Sequence, residues 1–396
     1  MATVVEFQSV AGFILDDPIA GVLDNPTYTL DGVVWSDITD KMIELSIARG
    51  KARDLDRFSS GAVSVVLNNE QRTFDPLYTG GPYYGQIVPR RGLRITTDGV
   101  RQFEGLIDDW NFDYDPGGRS KAEILATDEF TSLARQLVTP GTATPQATGA
   151  RVSAVLDMDG VLWPVDKRII SEGDSTLGAD VFEGNALEYL QKVDTSEQGN
   201  LFISKSGDLV FQDRGDATPR SDSLITFADD GTGIPYTSVQ VVYGTELLVN
   251  DVTVTSSAGS ANATSERSRV TYGVVAEEIE TLVNSTDQLQ NIADFILGKY
   301  VDPEYRIESL SMNLDTMSAG DKTSVLGLEL GDIILVKFTP NGIGDPILQY
   351  GQVIKLDSEV EQIRHDITIG IAQIDYTFLV LDDSLFGKLD TDHLGF

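Results

Sequence analysis

The chain has 396 residues, with 29 Lys+Arg against 62 Asp+Glu and a formal net charge of −33. Its 41% apolar content sets it apart from disordered chains of high charge, and its length is enough for roughly two to four domains. The absence of cysteine and the presence of just two histidines, His365 and His393, exclude a disulfide framework, thiolate metal sites and a multi-histidine metal centre.

Along the chain, β-branched and polar residues alternate in segments bounded by Gly, Asn and Asp, the pattern of half-buried antiparallel strands. The first such segments are residues 62–67 and 93–96. A helix is predicted over 128–137, with Phe130, Leu133, Ala134 and Leu137 on one stripe. Residues 140–149, rich in Pro, Gly and Thr, read as a linker or loop, and 216–221 as a weaker break. A second helix covers about 185–193, where Asn185 can cap and Leu187, Leu190 and Val193 face inward. Strands at 239–243 and 251–255 are followed by a mobile hairpin tip or surface loop over 256–265. The strongest helix runs from Ser285 to about Lys299. Ser285 and Gln288 form a capping box, Leu289, Ile292, Ala293 and Ile296 recur at helical spacing, and Gly298 suits a C-cap. Strands at 307–312 and 366–371 flank residues 332–336, which are apolar throughout and expected to be buried on both faces. Few helices among many strands make the chain mainly β with an α+β insert.

Chemistry-bearing motifs are sparse. Asp157-Met158-Asp159-Gly160 looks like the nucleophile motif of haloacid-dehalogenase-type phosphatases, yet it follows a helical stretch and lacks the later βαβ units. Asp229-Asp230-Gly231-Thr232-Gly233 precedes a strand and reads as a turn. No nucleophile elbow, Walker A loop or His-Glu-x-x-His is present. No enzyme activity, catalytic residue, metal or cofactor is expected. His365 is expected at a surface or interface. With a pI near 4.2, tight nucleic-acid binding is disfavoured, because that relies on Lys and Arg at phosphates. The apolar runs are far shorter than the ~18 residues of a membrane span, and residues 1–6 lack a signal-peptide pattern. A soluble protein made in the cytoplasm is expected.

Two further patterns point to partners. Leu15, Asp16 and Asp17, followed by Gly21, Leu23 and Asp24, are echoed by Leu381, Asp382 and Asp383, followed by Gly387, Leu389 and Asp390. This echo is either a recurrent acidic turn or a docking segment that pairs its backbone with a neighbour. Arg49, Lys51, Arg53 and Arg57, then Arg90, Arg91 and Arg94, form a basic cluster in an acidic background. It reads either as a salt-bridged face or as a patch meeting an acidic face on the next copy.

The stretch from Arg49 to Phe58, with Val65-Val66-Leu67-Asn68-Asn69-Glu70, Phe74-Asp75-Pro76 and Pro82 to Pro89, resembles minor tail proteins of long-tailed actinobacterial phages. Ser268 to Gly273, the helix from Ser285 and Leu328-Glu329-Leu330-Gly331-Asp332 resemble, at pattern level, tail-tip or baseplate-hub (tail-associated) proteins. The resemblance implies an N-terminal arm (1–27), a first tube-like β-barrel domain (28–138) and a mixed α/β insert (139–215). A second tube-like β-barrel with an accessory β domain (216–376) and a C-terminal arm (377–396) would follow. It further implies a homotrimeric ring at the virion tail tip that adapts a sixfold tube to a threefold tip; the acidic composition adds the expectation that acidic side chains line its channel, through which DNA only passes. Partners would be the tail tube or distal tail protein, other minor tail proteins and the tape measure protein. A distal adaptor ring with one barrel per chain and a receptor- or glycan-binding tail protein are the alternatives.

Overall fold

The computed structural model describes residues 2–12, 18, 21–23, 28–29, 32–217 and 224–374. Leu15, Asp16, Asp17, Leu381, Asp382 and Asp383 therefore lie outside the described residues, as does most of the 216–221 break.

Alternation of side chains shapes the first unit. Its strands are β1 (Thr3–Gly12), β2 (Val34–Asp37), β3 (Met42–Gly50), β4 (Ser59–Asn68), β5 (Gly92–Thr97), β6 (Val100–Asp113) and β7 (Lys121–Thr127). In β4, Val63, Val65 and Leu67 are buried while Ala62 is exposed and Ser64 half-buried, which fixes one face inward. The sheet order is β3–β4–β7–β6–β5–β1, every neighbouring pair antiparallel. Strand β2 pairs with β1 off this path. Behind the sheet sits a core of Val5, Phe7, Leu45, Val65, Phe74 and Ile124. Phe7 and Phe74 pack against the Trp110 and Tyr83 rings, with centroids 5.1–5.9 Å apart.

A mixed segment follows, with α1 (Thr148–Leu156), β8 (Arg168–Ile170), α2 (Ala186–Glu197), β9 (Asn200–Ile203) and β10 (Leu209–Gln212). The Asn185 side chain caps α2 by accepting from the Glu188 N–H at 2.8 Å, as the sequence suggested. The expected 140–149 linker or loop is instead structured: Gly141–Ala143 and Gln146–Ala147 are short strands paired with Asp180–Phe182 and Thr176–Leu177. Thr148 opens α1 and is fully buried, because its hydroxyl donates to Glu197 at 2.7 Å.

The second unit has β11 (Ile225–Ala228) and β12 (Ser238–Tyr243). An accessory group comes next: β13 (Asp251–Ser256), β14 (Gly259–Thr264), α3 (Glu266–Tyr272), β15 (Ala276–Glu280) and α4 (Thr286–Tyr300). The chain then returns to the sheet through β16 (Tyr305–Asn313), α5 (Ala319–Gly327), β17 (Ile333–Phe338), β18 (Ile347–Glu361) and β19 (Arg364–Gln373). Sheet order is β12–β16–β19–β18–β17–β11. The first unit joins it through pairing of β18 with β3, giving one fourteen-stranded sheet. The fold is mainly β with a mixed insert, as expected. Among the described residues no ladder closes either of the two β-rich units into a barrel.

Other differences have local causes. The helix expected over 128–137 is only Phe130–Leu133, followed by turns, and Leu137 forms a bridge with Asn185 instead. Ser285 caps α4 as expected, but Gly298 lies inside the helix and Val301 is the C-cap. Residues 259–264, expected as a mobile tip, are a strand paired with β13. The 332–336 segment alternates in burial, so one face is buried and the other only half-covered.

Candidate functional site

The two units repeat one topology. Five strands in chain order, β3, β4, β5, β6 and β7, lie in the sheet as β3–β4–β7–β6–β5. Likewise β12, β16, β17, β18 and β19 lie as β12–β16–β19–β18–β17. The match extends to irregularities. The β6/β7 register shifts between Ile107 and Asp109, and the β18/β19 register between Val353 and Lys355. Just before each bulge the same bonds recur. Ile107 donates to the Arg91 carbonyl at 2.8 Å and accepts from the Arg90 N–H at 2.6 Å. Val353 donates to the Asp332 carbonyl and accepts from the Gly331 N–H, both at 2.8 Å. Asp108 and Ile354 are thus counterparts in two copies of one module.

The modules meet head to tail. Strand β18 runs beside β17 as far as Gln352, then continues beside β3, with Lys355 opposite Gly50 and Glu361 opposite Glu44. The Lys51 N–H donates to the Ile354 carbonyl at 2.9 Å. Gly50 is required at this joint. Its φ is +118°, and a Cβ there would lie 2.1 Å from the Ile354 carbonyl oxygen.

Strand alternation gives this shared sheet a polar face opposite its two cores. Glu359 stands opposite Ser46 on one side and Asp366 on the other, and Glu361 opposite Glu44. Further along are Ser64, Glu123, Asn111 and Asp109. Short side chains and hydrogen bonds knit the face. Ser64 donates to Glu123 at 2.9 Å, Asn313 to Asp366 at 2.7 Å, and Ser311 and Thr368 share a bond of 3.0 Å. Glu44 and Glu361 stand directly opposite each other and repel, while Arg364, opposite Glu361 on its other side, offsets part of that repulsion.

The expected basic cluster is dispersed. Arg49 is buried and donates to Glu329 at 2.7 Å and to the Ile203 carbonyl at 2.8 Å, so it fastens the chain to itself. Arg91 is also buried. Arg53 is exposed and pairs with Asp56 at 3.1 Å, Arg57 donates to Thr195, and Arg90 donates to Ser132 and lies 3.6 Å from Asp108. Neither Arg49 nor Arg91 can therefore contribute to a surface patch.

His365 corrects the surface expectation: it is 2% exposed and shares a hydrogen bond with Ser358 at 2.8 Å. Burial pulls its imidazole down to about 4, against the opposing pull of Asp315 and Asp366. The Asp157 motif lies at the C-terminal end of α1, where Asp157 pairs with Arg168 at 2.7 Å.

A cleft of about 480 Å³ opens beside the joint. Within it Asp54 pairs with Lys299 at 2.6 Å and accepts from the Tyr300 hydroxyl at 2.7 Å. Asp194 borders the same cleft, and burial pushes its carboxyl up to about 7. Sequence reading missed these residues and the repeat, since neither leaves a short motif.

No protein-family model matches the chain, and no curated protein matches it in sequence. Solved structures do match it in shape. A tail protein from Neisseria meningitidis aligns over 87% of this chain and 94% of its own, with a TM-score of 0.59 and 11% identity. The 43 kDa tail protein of prophage MuSo2 from Shewanella oneidensis aligns over 93% and 98%, with a TM-score of 0.57 and 13% identity. The fold is similar to that of phage tail proteins. An E. coli component of the type VI secretion system, itself described as similar to the T4 tail proteins gp27 and gp5, aligns over 84% and 74%, with a TM-score of 0.51 and 7% identity. At such identities the likeness to tail proteins is one of fold.

Proposed function

We propose that the chain is a structural protein of a phage tail tip, a hub ring that caps the tail tube, matches a sixfold tube to a threefold tip and lets DNA pass. The observation that carries this reading is the head-to-tail joining of two like modules in one chain through β18 and β3. Three such chains would present six modules around an axis, the number a sixfold tube needs, while the assembly itself stays threefold. An adaptor ring with a single module per chain fits the repeat less well.

The polar face of the sheet would line the channel. Its carboxylates repel phosphate, so DNA is kept from sticking to the wall. The exposed carboxylates of Glu44, Glu359 and Glu361, close together on this face, favour this role. The tail fold of the neighbours supports a place in the virion tail, with the tube or distal tail protein, other minor tail proteins and the tape measure protein as partners. The segments around Asp16 and Asp382 are assigned to contacts with those proteins.

An averaged view of particles along the tail axis tests the reading. Three copies around the axis at the tip are expected. Six copies, or a position away from the axis, would contradict it.

A further inference from the structure

The repeat leaves two strand edges open, and each is the counterpart of an edge that is occupied at the joint. Beyond Ile107, β6 has β7 on one side and no strand on the other among the described residues, whereas its counterpart β18 has β3 there. Among the described residues β12 pairs with β16 alone, whereas its counterpart β3 also has β18.

We propose that residues 109–113 of β6 pair antiparallel with β12 of a second copy of this chain. Copies would then join through the same ladder that joins the modules inside each copy. This rests on the ring reading above and adds to it the edges and the register.

The register follows by transfer. Asp108 corresponds to Ile354 through the shared bulge, and Gln240 corresponds to Ser46 through the matched pairings Gln240–Ser309 and Ser46–Ser64. Carrying the β18/β3 ladder across sets Trp110 opposite Tyr243, Asn111 opposite Val242, Phe112 opposite Val241 and Asp113 opposite Gln240. Two consequences support this. On the core side, an aromatic meets an aromatic and a Phe meets a β-branched residue, the combinations that stabilise neighbouring strands. Tyr243, 70% exposed in the single chain, would thereby be covered.

The second consequence concerns a glycine. The position matching Gly50 is Gly244, which falls opposite Asp109. At the internal joint a side chain on Gly50 would strike the Ile354 carbonyl. At Gly244 the nearest atom to an added Cβ is the Val242 Cγ1 at 3.6 Å, an ordinary contact. Nothing among the described residues demands glycine there, but a neighbouring Asp108 carbonyl would.

The chain has no cysteine, so a pair can be introduced cleanly. The double variant Asn111→Cys/Val242→Cys, both on the polar face, would be oxidised or bridged with a short bis-maleimide, and its native mass measured. The expected result is interchain crosslinking that stops at three chains. Adding Gly244→Ala should leave the circular dichroism and melting temperature of the chain unchanged while crosslinking is lost. Three-chain rings that do not crosslink would overturn this pairing and leave the ring reading standing. Crosslinks that run beyond three would overturn the threefold closure and keep the pairing. A chain that stays monomeric and uncrosslinked would overturn both, and Gly244→Ala crosslinking as well as its parent would overturn the register.

Discussion

The guanidinium of Arg49 lies 2.7 Å from the Glu329 carboxylate and is 4% exposed, although the two residues are 280 positions apart in sequence. Through the Ile203 carbonyl the same side chain also holds the mixed segment. Glu329 in turn accepts from the Lys205 N–H at 2.8 Å. One buried cation thus ties both modules and the insert together.

Removing it leaves a partly buried carboxylate without its counter-charge. Arg49→Met should lower stability by about 2–4 kcal/mol. Urea unfolding checks this, and an unchanged midpoint would contradict it.

Gly50 and Gly244 should differ sharply as single-chain substitutions. Gly50→Ala forces a Cβ against the Ile354 carbonyl and should cost at least about 2 kcal/mol. Gly244→Ala should stay within about 0.5 kcal/mol, because its surroundings are open. Thermal unfolding of the two variants under conditions that keep the chain monomeric compares them directly.

Two buried groups give opposite pH responses. Burial raises Asp194 to about 7, above its unfolded value, despite Lys51 and Arg57 nearby. The folded chain therefore keeps a proton that the unfolded chain releases, and stability is lost as pH rises from about 4 to 7. Asp194→Asn should remove that loss and gain roughly 2–4 kcal/mol relative to the parent above pH 7. Burial lowers His365 to about 4, so its contribution is present above pH 6.5 and lost as pH falls toward 4. His365→Gln should flatten that limb. Denaturation curves across pH 4–8 read both, and parallel curves for parent and variants would sink the assignments.

On the polar face, Glu44→Gln relieves the repulsion from Glu361, leaves Glu361 opposite Arg364, and should raise stability by about 0.2–1 kcal/mol. Reversing Glu44 and Glu359 to Lys should instead slow DNA release from particles, because cations in the wall would hold phosphate. Release kinetics measured on variant particles decide this, and unchanged kinetics would remove the channel role of these carboxylates.

The strands and the two capped helices were legible because their signals are local. Alternation at 62–67 or 366–371 and the caps at Asn185 and Ser285 act within a few residues. Burial of residues 332–336 was misread because Ile333 and Leu335 are apolar yet only half-covered. The module repeat was invisible because ladder order, not residue identity, is what recurs; its bulge residues are Asp108 in one copy and Ile354 in the other. The arginines misled for a related reason. Whether Arg49 faces water depends on which way β3 is turned and on Glu329 far along the chain.

Native mass measurement of the purified chain tests the central claim most directly, since head-to-tail modules either close around an axis or do not. A species three times the 43.0 kDa chain is expected, falling to one chain in Gly244→Ala. A parent protein that remains a single chain at every concentration, or that assembles in sixes, would contradict the account.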